Sequence, residues 1–384
     1  MKKIAFTGDL GFSSKYFRDT YDKEDLLDKT LVDYLSDTDH TVVNVEGCVS
    51  DTSPSASKPL LHANPPECLP FLRKINGNIW ALANNHITDC GREGVESTLR
   101  IAKENGIQTV GVGLNMEQAE RPIIIKNDGA DIGIIAVTHE ATEQAAEDSA
   151  GCVLWKNDDK ISEMISKVKE SCRWCVIIVH SGPEFCHLMP RNVRKQYKKY
   201  LKFGADIVIG HHPHVVENYE KIGDKIIFYS LGNFIFDTDY QRRQKYTEYG
   251  VCVKFSFFKE HFTWDHKAFK IQRENQTIVS CDTPDIFTNV TAGQYALLWP
   301  LAMHTLYKNE VVKFPLVYPE FKDYSKWQWF KFYLKRSRMP AVEQGLSSGN
   351  VVYKGVLTGN AFYYLNLWRF GNKKLKKYIK EGHK

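Results

Sequence analysis

Apolar and polar positions alternate along the first 210 residues with two different periods. Short apolar runs predict strands over 3–8, 41–45, 78–83, 108–112, 174–179 and 206–209. Apolar positions at helical spacing predict helices over 24–36, 91–105, 158–170 and 193–203. Two further runs, 121–126 and 131–138, flank Asn127-Asp128-Gly129 and predict an antiparallel hairpin. This alternation is typical of an α/β fold, and the hairpin makes its sheet mixed.

The composition is that of an ordinary folded protein. With 43% hydrophobic and 25% charged residues over 384 positions, the chain is neither disordered nor fibrous, and it can hold one large domain plus an appendage. No run approaches 18 uncharged apolar residues, and the N-terminus has too few apolar residues for a signal peptide. Nine scattered cysteines suit a reducing compartment. We therefore expect a cytoplasmic protein.

The charge is distributed unevenly. Residues 321–384 carry 14 Lys and Arg against 3 Asp and Glu, a formal charge of +11, whereas residues 1–320 carry −6. Aromatic residues are interleaved with the basic ones, and a helix is predicted over 299–311. The basic, aromatic-rich, mainly helical region 290–384 is either a solvated face or a contact for an anionic partner, such as a polymer or the cytoplasmic face of a membrane. Nucleic acid is not an expected partner, since no recognised motif accompanies the charge.

Side chains that can bind metal ions follow the predicted strands, where sites of α/β proteins form. They are Asp9, Asn44, Glu46, Asn84, Asn85, His86, His139, His180, His211, His212 and His214. Carboxylate, amide and imidazole groups suit Mn, Fe or Zn, and the lack of cysteine among them argues against a structural zinc site. Six or more such ligands are enough for two divalent ions.

Each of these residues has a structural explanation when taken alone. Gly-Asp after a strand is usually a turn, and Asn84-Asn85 before a helix is often a cap. A single His180 is more often a buried histidine of the core. The cluster His211-His212-Pro213-His214 is more specific, because Pro213 restrains the backbone and three adjacent histidines rarely serve packing. The ordered set, more than any member, predicts a metal centre.

The motifs resemble the bacterial CapA family, the capsule or poly-γ-glutamate biosynthesis proteins of the calcineurin-like metallophosphoesterase superfamily. They occur in order between about residue 3 and residue 258 and comprise Gly8-Asp9, Asn44-Val45-Glu46-Gly47, Ala83-Asn84-Asn85-His86 with Asp89, His180-Ser181-Gly182-Pro183-Glu184-Phe185, Gly210-His211-His212-Pro213-His214-Val215, and Ser230-Leu231-Gly232-Asn233-Phe234-Ile235-Phe236-Asp237. The resemblance implies a metallophosphoesterase-like α/β/β/α sandwich with mixed sheets over 1–270, followed by the separate region 290–384.

The resemblance also implies a role for each matched residue. Asp9 would bind one ion, Glu46 would bridge two, Asn85 and His180 would bind the second, and His212 and His214 would divide between them. His86 would protonate the leaving oxygen. The ligands would be oriented by Asn44, Asn84, Asp89, His211 and Asn233. Two positions depart from the pattern: Gly11 replaces a superfamily histidine that binds the first ion, and Ser181 replaces a common tryptophan.

Two functions from different classes follow. The first is a metal-dependent hydrolase that uses an activated water on a phosphoester, or on an amide-linked or glycan polymer of the cell surface. The second is a non-catalytic assembly factor of a capsule or polyglutamate synthesis complex, with a structural or degenerate metal site, which Gly11 favours. Phosphatase activity that requires added metal would distinguish the two.

Overall fold

A computed structural model describes residues 1–50, 62–139, 142–291 and 295. The helices of this part of the chain are α1 Lys29–Ser36, α2 Leu69–Lys74, α3 Gly91–Glu104, α4 Met116–Ala119, α5 Asp158–Ser171 and α6 Arg191–Phe203. Its strands are β1 Lys2–Leu10, β2 His40–Val45, β3 Cys48–Val49, β4 Ala63–Asn64, β5 Ile79–Ala81, β6 Gln108–Val110, β7 Val112–Gly113, β8 Ile123–Ile125, β9 Ile132–Thr138, β10 Gly151–Cys152, β11 Trp174–His180, β12 Ile207–His211, β13 Tyr219–Ile222, β14 Lys225–Phe228, β15 Asn233–Ile235, β16 Tyr249–Phe257, β17 Phe262–Gln272 and β18 Thr277–Ser280.

Two mixed sheets form the centre of the molecule. The first has the order β18-β17-β16-β1-β2-β5-β6, with β15 also paired to β1, and the second has the order β13-β14-β12-β11-β9-β8. The strands β1, β2, β5 and β6 run parallel, as do β9, β11, β12 and β14. Antiparallel strands β16 to β18 extend the first sheet, and β8 and β13 close the second. The predicted hairpin is β8-β9, so the mixed character is confirmed.

The side chains of the second sheet alternate between two cores. Along β11, Ile178 lies in the core shared with the first sheet, whereas Ile177 and Val179 lie in a second core with α5 and α6. Such alternation is what a strand covered on both faces requires. Helices α1 and α3 pack against the first sheet, and α5 and α6 against the second. The layers are therefore α/β/β/α, which confirms the predicted fold class.

The first predicted helix is shorter than expected. It begins at Lys29 and not at residue 24, because Leu27 forms a bridge with Ile278 and the Asp28 backbone N–H donates to the Ile278 carbonyl (3.0 Å). The Asp28 side chain then caps the helix by accepting from the Leu31 N–H (2.8 Å). Pairing at the sheet edge thus prevails over helical periodicity in this segment.

The other predicted elements match to within a few residues, except that range 108–112 forms two strands separated by Gly111 (φ +96°). The first sheet continues past residue 270 to Ser280, and the division at 270 stays a prediction. The region 290–384, with its helix over 299–311, lies almost entirely outside the described residues. Within the described ranges, none of the helices is long and apolar enough to cross a membrane.

The register brings the ends of the parallel strands together. Asp9 at the end of β1 pairs with Asn44 of β2 on one side and with Asn233 of β15 on the other. In the second sheet, His180 at the end of β11 pairs with His211 at the end of β12. Carboxyl ends from both sheets therefore meet on one side of the sandwich, where the predicted metal ligands lie.

Candidate metal centre

The histidine cluster after β12 adopts an unusual backbone. His212 (φ +93°) and His214 (φ +57°) both lie in the left-handed region, which side chains other than glycine rarely adopt, and Pro213 stands between them. Such strain is concentrated at functional sites. One result is that the His212 backbone N–H donates to Asp9 Oδ2 (3.2 Å).

Asp9 is fully buried and accepts hydrogen bonds from several directions. Asn44 Nδ2 donates to Oδ1 (2.8 Å), and His211 Nδ1 lies 2.9 Å from the same oxygen. His214 Nδ1 lies 3.3 Å from Oδ2. Burial alone would raise the pKa of Asp9, but the hydrogen bonds and charges of His211 and His214 outweigh it and hold the pKa well below its usual range. Asp9 is therefore a buried carboxylate that stays ionised.

Glu46 follows β2 and lies beside Asp9. His214 Nε2 is 3.6 Å and His86 Nε2 3.8 Å from Glu46 Oε1, and one ligand atom each from Asp9, Glu46 and His214 lies within 4.8 Å of the others. Burial raises the pKa of Glu46 to about 7, opposed by the charge of His214. Burial lowers the pKa of His214, but the charges of Glu46 and Asp9 outweigh it and raise that pKa to about 9. Two carboxylates and an imidazole thus face one small space.

A second group of ligand atoms lies next to the first. His180 Nε2 is 2.8 Å from Asn85 Oδ1, and the His180 ring lies 5.0 Å from that of His212. Burial, above all, lowers the pKa of His180 well below its usual value, so this imidazole is neutral, the form that binds metal. Asn44 connects the two groups, because its Nδ2 contacts both Asp9 Oδ1 and His180 Nδ1 (3.4 Å).

His86 is held at the edge of the first group. Its Nδ1 lies 2.7 Å from Asp89 Oδ2, and its backbone N–H donates to Asn84 Oδ1 (3.1 Å). Asn84 also donates from Nδ2 to the Val45 carbonyl (2.8 Å) and so fixes the segment that carries Glu46. Asp89 precedes the N-cap residue Cys90, and its carboxylate engages His86. With Nδ1 bound to Asp89, Nε2 is the nitrogen that faces Glu46.

Asn233 supports His214 from the other side. Its Oδ1 lies 2.9 Å from His214 Nδ1, and its Nδ2 donates to Gln241 Oε1 (2.5 Å) and to the Thr247 carbonyl (2.9 Å). These donations assign the Asn233 amide orientation, so His214 donates from Nδ1 and presents Nε2 towards Glu46. This is the arrangement that orients imidazoles for metal binding.

Three residues near the centre received no specific role in the prediction from sequence. The His62 ring lies 4.3 Å from that of His86, the Phe236 ring stacks on His214 (4.9 Å), and the His139 ring lies 4.4 Å from that of His212. His139 stands at a predicted strand end, which was a usable signal. His62 follows no predicted strand, and Phe236 carries no chemistry that would distinguish it from a core residue.

The ring of Phe236 gives a physical reason why residue 11 is a glycine. A Cβ atom at Gly11 would lie 2.9 Å from Cδ2 and Cε2 of the Phe236 ring and 3.5 Å from the Glu46 carbonyl oxygen. Phe236 is buried and also packs against His62 (5.2 Å between ring centroids). The space beside position 11, where the superfamily pattern has a histidine, is therefore filled by a phenyl ring.

Gly11→Ala is expected to destabilise the protein by about 1 to 3 kcal/mol, the usual cost of overpacking, because the Phe236 ring must move against His214. Urea unfolding of the two proteins measures the difference. The double variant Gly11→Ala/Phe236→Leu should recover part of the lost stability, since the smaller leucine side chain leaves room for the added methyl group. Equal stability of Gly11→Ala and wild type would contradict this expectation, because it would show that the Phe236 ring moves aside at no cost in stability.

The residues present fit a divalent metal ion. Within the part of the chain described, neither carboxylate oxygen of the fully buried Glu46 has a hydrogen-bond partner. A buried carboxylate without hydrogen bonds is costly, and a cation held by Asp9, Glu46 and His214 would satisfy it. The donor set, carboxylate and imidazole with an amide oxygen nearby, suits borderline divalent ions.

Comparison with known proteins gives matches over the segment that builds this centre. The model of the family described as bacterial capsule synthesis protein PGA_cap matches residues 3–238. The capsule biosynthesis protein CapA of Bacillus anthracis is 31% identical over 182 residues, covering 46% of this chain and 44% of the relative. The PGA biosynthesis protein CapA of Bacillus subtilis strain 168 is 34% identical over 179 residues, covering 46% and 47%. The matched segment thus spans less than half the length of these curated relatives.

Among solved structures, the NAD nucleotidase of Haemophilus influenzae covers 80% of this chain and 60% of its own, with 11% identity and a TM-score of 0.41. This distant likeness adds nothing to the assignment, which rests on the family match over residues 3–238. The matched range contains Asp9, Glu46, the histidine cluster after β12 and Asn233. The chain belongs to the bacterial capsule synthesis protein family PGA_cap.

Proposed function

We propose that this protein is a metal-dependent hydrolase that acts in the synthesis or processing of a capsule or poly-γ-glutamate polymer. Membership of the capsule synthesis family supports the biological setting. The observation that best supports a hydrolase is the buried Glu46 carboxylate, which lies near Asp9, His214 and His86 and has no hydrogen-bond partner among the described residues. A cation bound there would satisfy this carboxylate.

In this proposal the two groups of residues would hold two divalent ions, Mn, Fe or Zn. Asp9, Glu46 and His214 would hold one, and Asn85, His180 and His212 would hold the other, to which Glu46 would also contribute. Bound ions of this kind lower the pKa of a water molecule and neutralise charge that develops on a phosphoryl or carbonyl oxygen. Asn44, His211 and Asn233 keep the ligands in place through the hydrogen bonds described above.

The chain itself supplies the proton for the leaving group. His86 is held through Nδ1 by Asp89, and its Nε2 faces the centre beside Glu46. Its side chain is partly exposed (16%), so substrate can reach it. A proton on Nε2 passes to the leaving oxygen or nitrogen as the scissile bond breaks, and the Asp89 carboxylate stabilises the charged ring before transfer.

His86→Asn is expected to reduce kcat by roughly 10²- to 10⁴-fold, because Asn can mimic Nδ1 towards Asp89 but lacks Nε2. Metal content should stay at the wild-type level, since His86 is not among the proposed ligands. Hydrolysis of a phosphodiester such as bis-p-nitrophenyl phosphate with added Mn measures kcat, and elemental analysis measures the metal. His266→Asn, in β17 and outside the centre, is the matched control. Unchanged turnover in His86→Asn would remove the assigned role.

The second candidate function is a non-catalytic assembly factor of a capsule or polyglutamate synthesis complex. The packing of Phe236 against Gly11 favours it, because this ring fills the place of a further ligand. The basic region 290–384 would then contact the complex or a membrane surface at its cytoplasmic face. Incubation with bis-p-nitrophenyl phosphate and with a γ-glutamyl oligomer, each with and without Mn, separates the two functions. Metal-dependent turnover of either substrate supports the hydrolase, and bound metal without turnover of either supports the assembly factor.

A further inference from the structure

His62 is fixed to the segment that carries Glu46. A Cβ atom at Gly47 (φ +90°) would lie 2.3 Å from the His62 carbonyl oxygen and 2.8 Å from the His62 Cβ, so His62 packs directly on the glycine backbone. Two residues later, Asn64 Nδ2 donates to the Glu46 carbonyl (2.9 Å) and Asn64 Oδ1 accepts from the Phe12 N–H (2.7 Å). Packing against the Gly47 backbone and the hydrogen bonds of Asn64 therefore fix the position of His62 relative to the centre.

The His62 ring is oriented as firmly as that of His86. Its Nδ1 lies 2.6 Å from Ser13 Oγ, and its ring stands edge to face with His86 at 4.3 Å. The His62 backbone N–H donates to Asp89 Oδ2 (3.0 Å), the same oxygen that contacts His86 Nδ1. Asp89 thus fixes the His62 backbone and the His86 ring side by side.

The chemistry of His62 differs from that of His86. Burial, followed by the nearby charges of His86 and His214, lowers the pKa of His62 well below its usual value, so the ring is neutral. Ser13 engages Nδ1, so a ligand of this ring would have to bind at Nε2. When the Ser13 hydroxyl donates to Nδ1, Nε2 carries the proton and is a fixed donor. His62 is therefore a neutral, pre-oriented hydrogen-bond donor beside His86, which donates the proton. Such a donor can bind an oxygen atom of the substrate atom that carries the leaving group.

We propose that His62, oriented by Ser13, forms a subsite that binds an anionic oxygen of the substrate next to His86. The oxygen belongs to a phosphoryl group or to a carboxylate of a γ-glutamyl unit, and the two share the same recognition by an N–H donor. This inference rests on the proposed function, because it places a substrate in the centre built on Asp9 and Glu46. It adds a residue that determines substrate affinity.

Binding of inorganic phosphate and of γ-glutamylglutamate to the metal-loaded full chain, by isothermal titration calorimetry, tests the subsite. His62→Phe keeps the ring contacts with His86 and Phe236 but removes both nitrogens. The variant should retain metal, and its affinity for one of the two ligands should fall by roughly 10-fold, because one hydrogen bond to a charged group is lost. KM for the phosphodiester should rise more than kcat falls, and Ser13→Ala should shift affinity in the same direction by a smaller factor.

His266→Phe is the matched control, because His266 Nε2 contacts the hydroxyl of Thr283 (2.8 Å) in a comparable pair away from the centre. The ligand whose affinity drops in His62→Phe but not in the control identifies the source of the oxygen. Unchanged affinity for both ligands, with metal retained, overturns the subsite and leaves the metal centre standing. A wild-type protein that holds neither metal nor ligand overturns both proposals.

Discussion

Glu46→Gln is expected to abolish metal binding and to lower hydrolytic turnover by roughly 10³-fold or more, since bound ions supply several kcal/mol of transition-state stabilisation. The substitution preserves size and removes only the charge of a side chain that lies between Asp9 and His214. Asp9 already accepts hydrogen bonds from Asn44 and His211, so it is not free to take the place of Glu46. Elemental analysis and turnover of bis-p-nitrophenyl phosphate measure the two effects.

The control for this variant is Glu217→Gln, which changes another fully buried glutamate near the same histidine cluster. Glu217 is not among the proposed ligands, so its replacement should leave metal content at the wild-type value. Metal content that stays unchanged in Glu46→Gln, or that falls equally in both variants, would show that Glu46 has no specific part in binding.

Glu217→Gln is expected to stabilise the protein at pH 8 by about 1 to 3 kcal/mol, because ionisation of Glu217 favours the unfolded wild-type chain at this pH and an amide cannot ionise. Among the described residues, neither oxygen of the Glu217 carboxylate has a hydrogen-bond partner, and burial raises the pKa of Glu217 well above its usual value. The neutral amide of Gln resembles the protonated acid in shape. It removes the need to keep a proton on a buried group.

The pH dependence of this difference has a definite sign. In the unfolded chain Glu217 loses its proton near pH 4.5, whereas in the folded protein it keeps the proton to higher pH. The wild-type protein therefore loses stability as pH rises above about 4.5, the ordinary value for glutamate. Urea unfolding of metal-free protein at pH 4.5, 6 and 8 should show a gap between Glu217→Gln and wild type that widens with pH. The exposed Glu274→Gln serves as control, and a gap independent of pH would contradict the account.

The positions of the strand-end side chains could be predicted because they depend on local pattern and on one general rule. Short apolar runs ending in Asp9, His180 and the histidine cluster after β12 signal strands, and parallel strands present their carboxyl ends on one side. The pairing of Asp9 with Asn44 follows from that arrangement, whereas the pairing of Asp9 with Asn233, the first residue of β15, does not. Polar side chains at the carboxyl ends of strands can therefore be identified as candidate site residues from the sequence.

The remaining features depend on contacts between distant segments. His62 lies 24 positions before His86, and only the Gly47 and Asp89 contacts bring the two rings together. Phe236 lies 225 positions after Gly11, and nothing in either local pattern indicates that one fills the space beside the other. The shortened first helix has the same cause, since Leu27 pairs with Ile278 from the far edge of the sheet. Local periodicity carries no information about such partners.

The most direct test of the metal centre is the metal content per chain of wild-type protein purified without chelator, measured by elemental analysis. The proposed arrangement of Asp9, Glu46, Asn85, His180, His212 and His214 predicts close to two divalent ions per chain. Absence of bound metal, both as purified and after incubation with Mn, Fe or Zn, would contradict it.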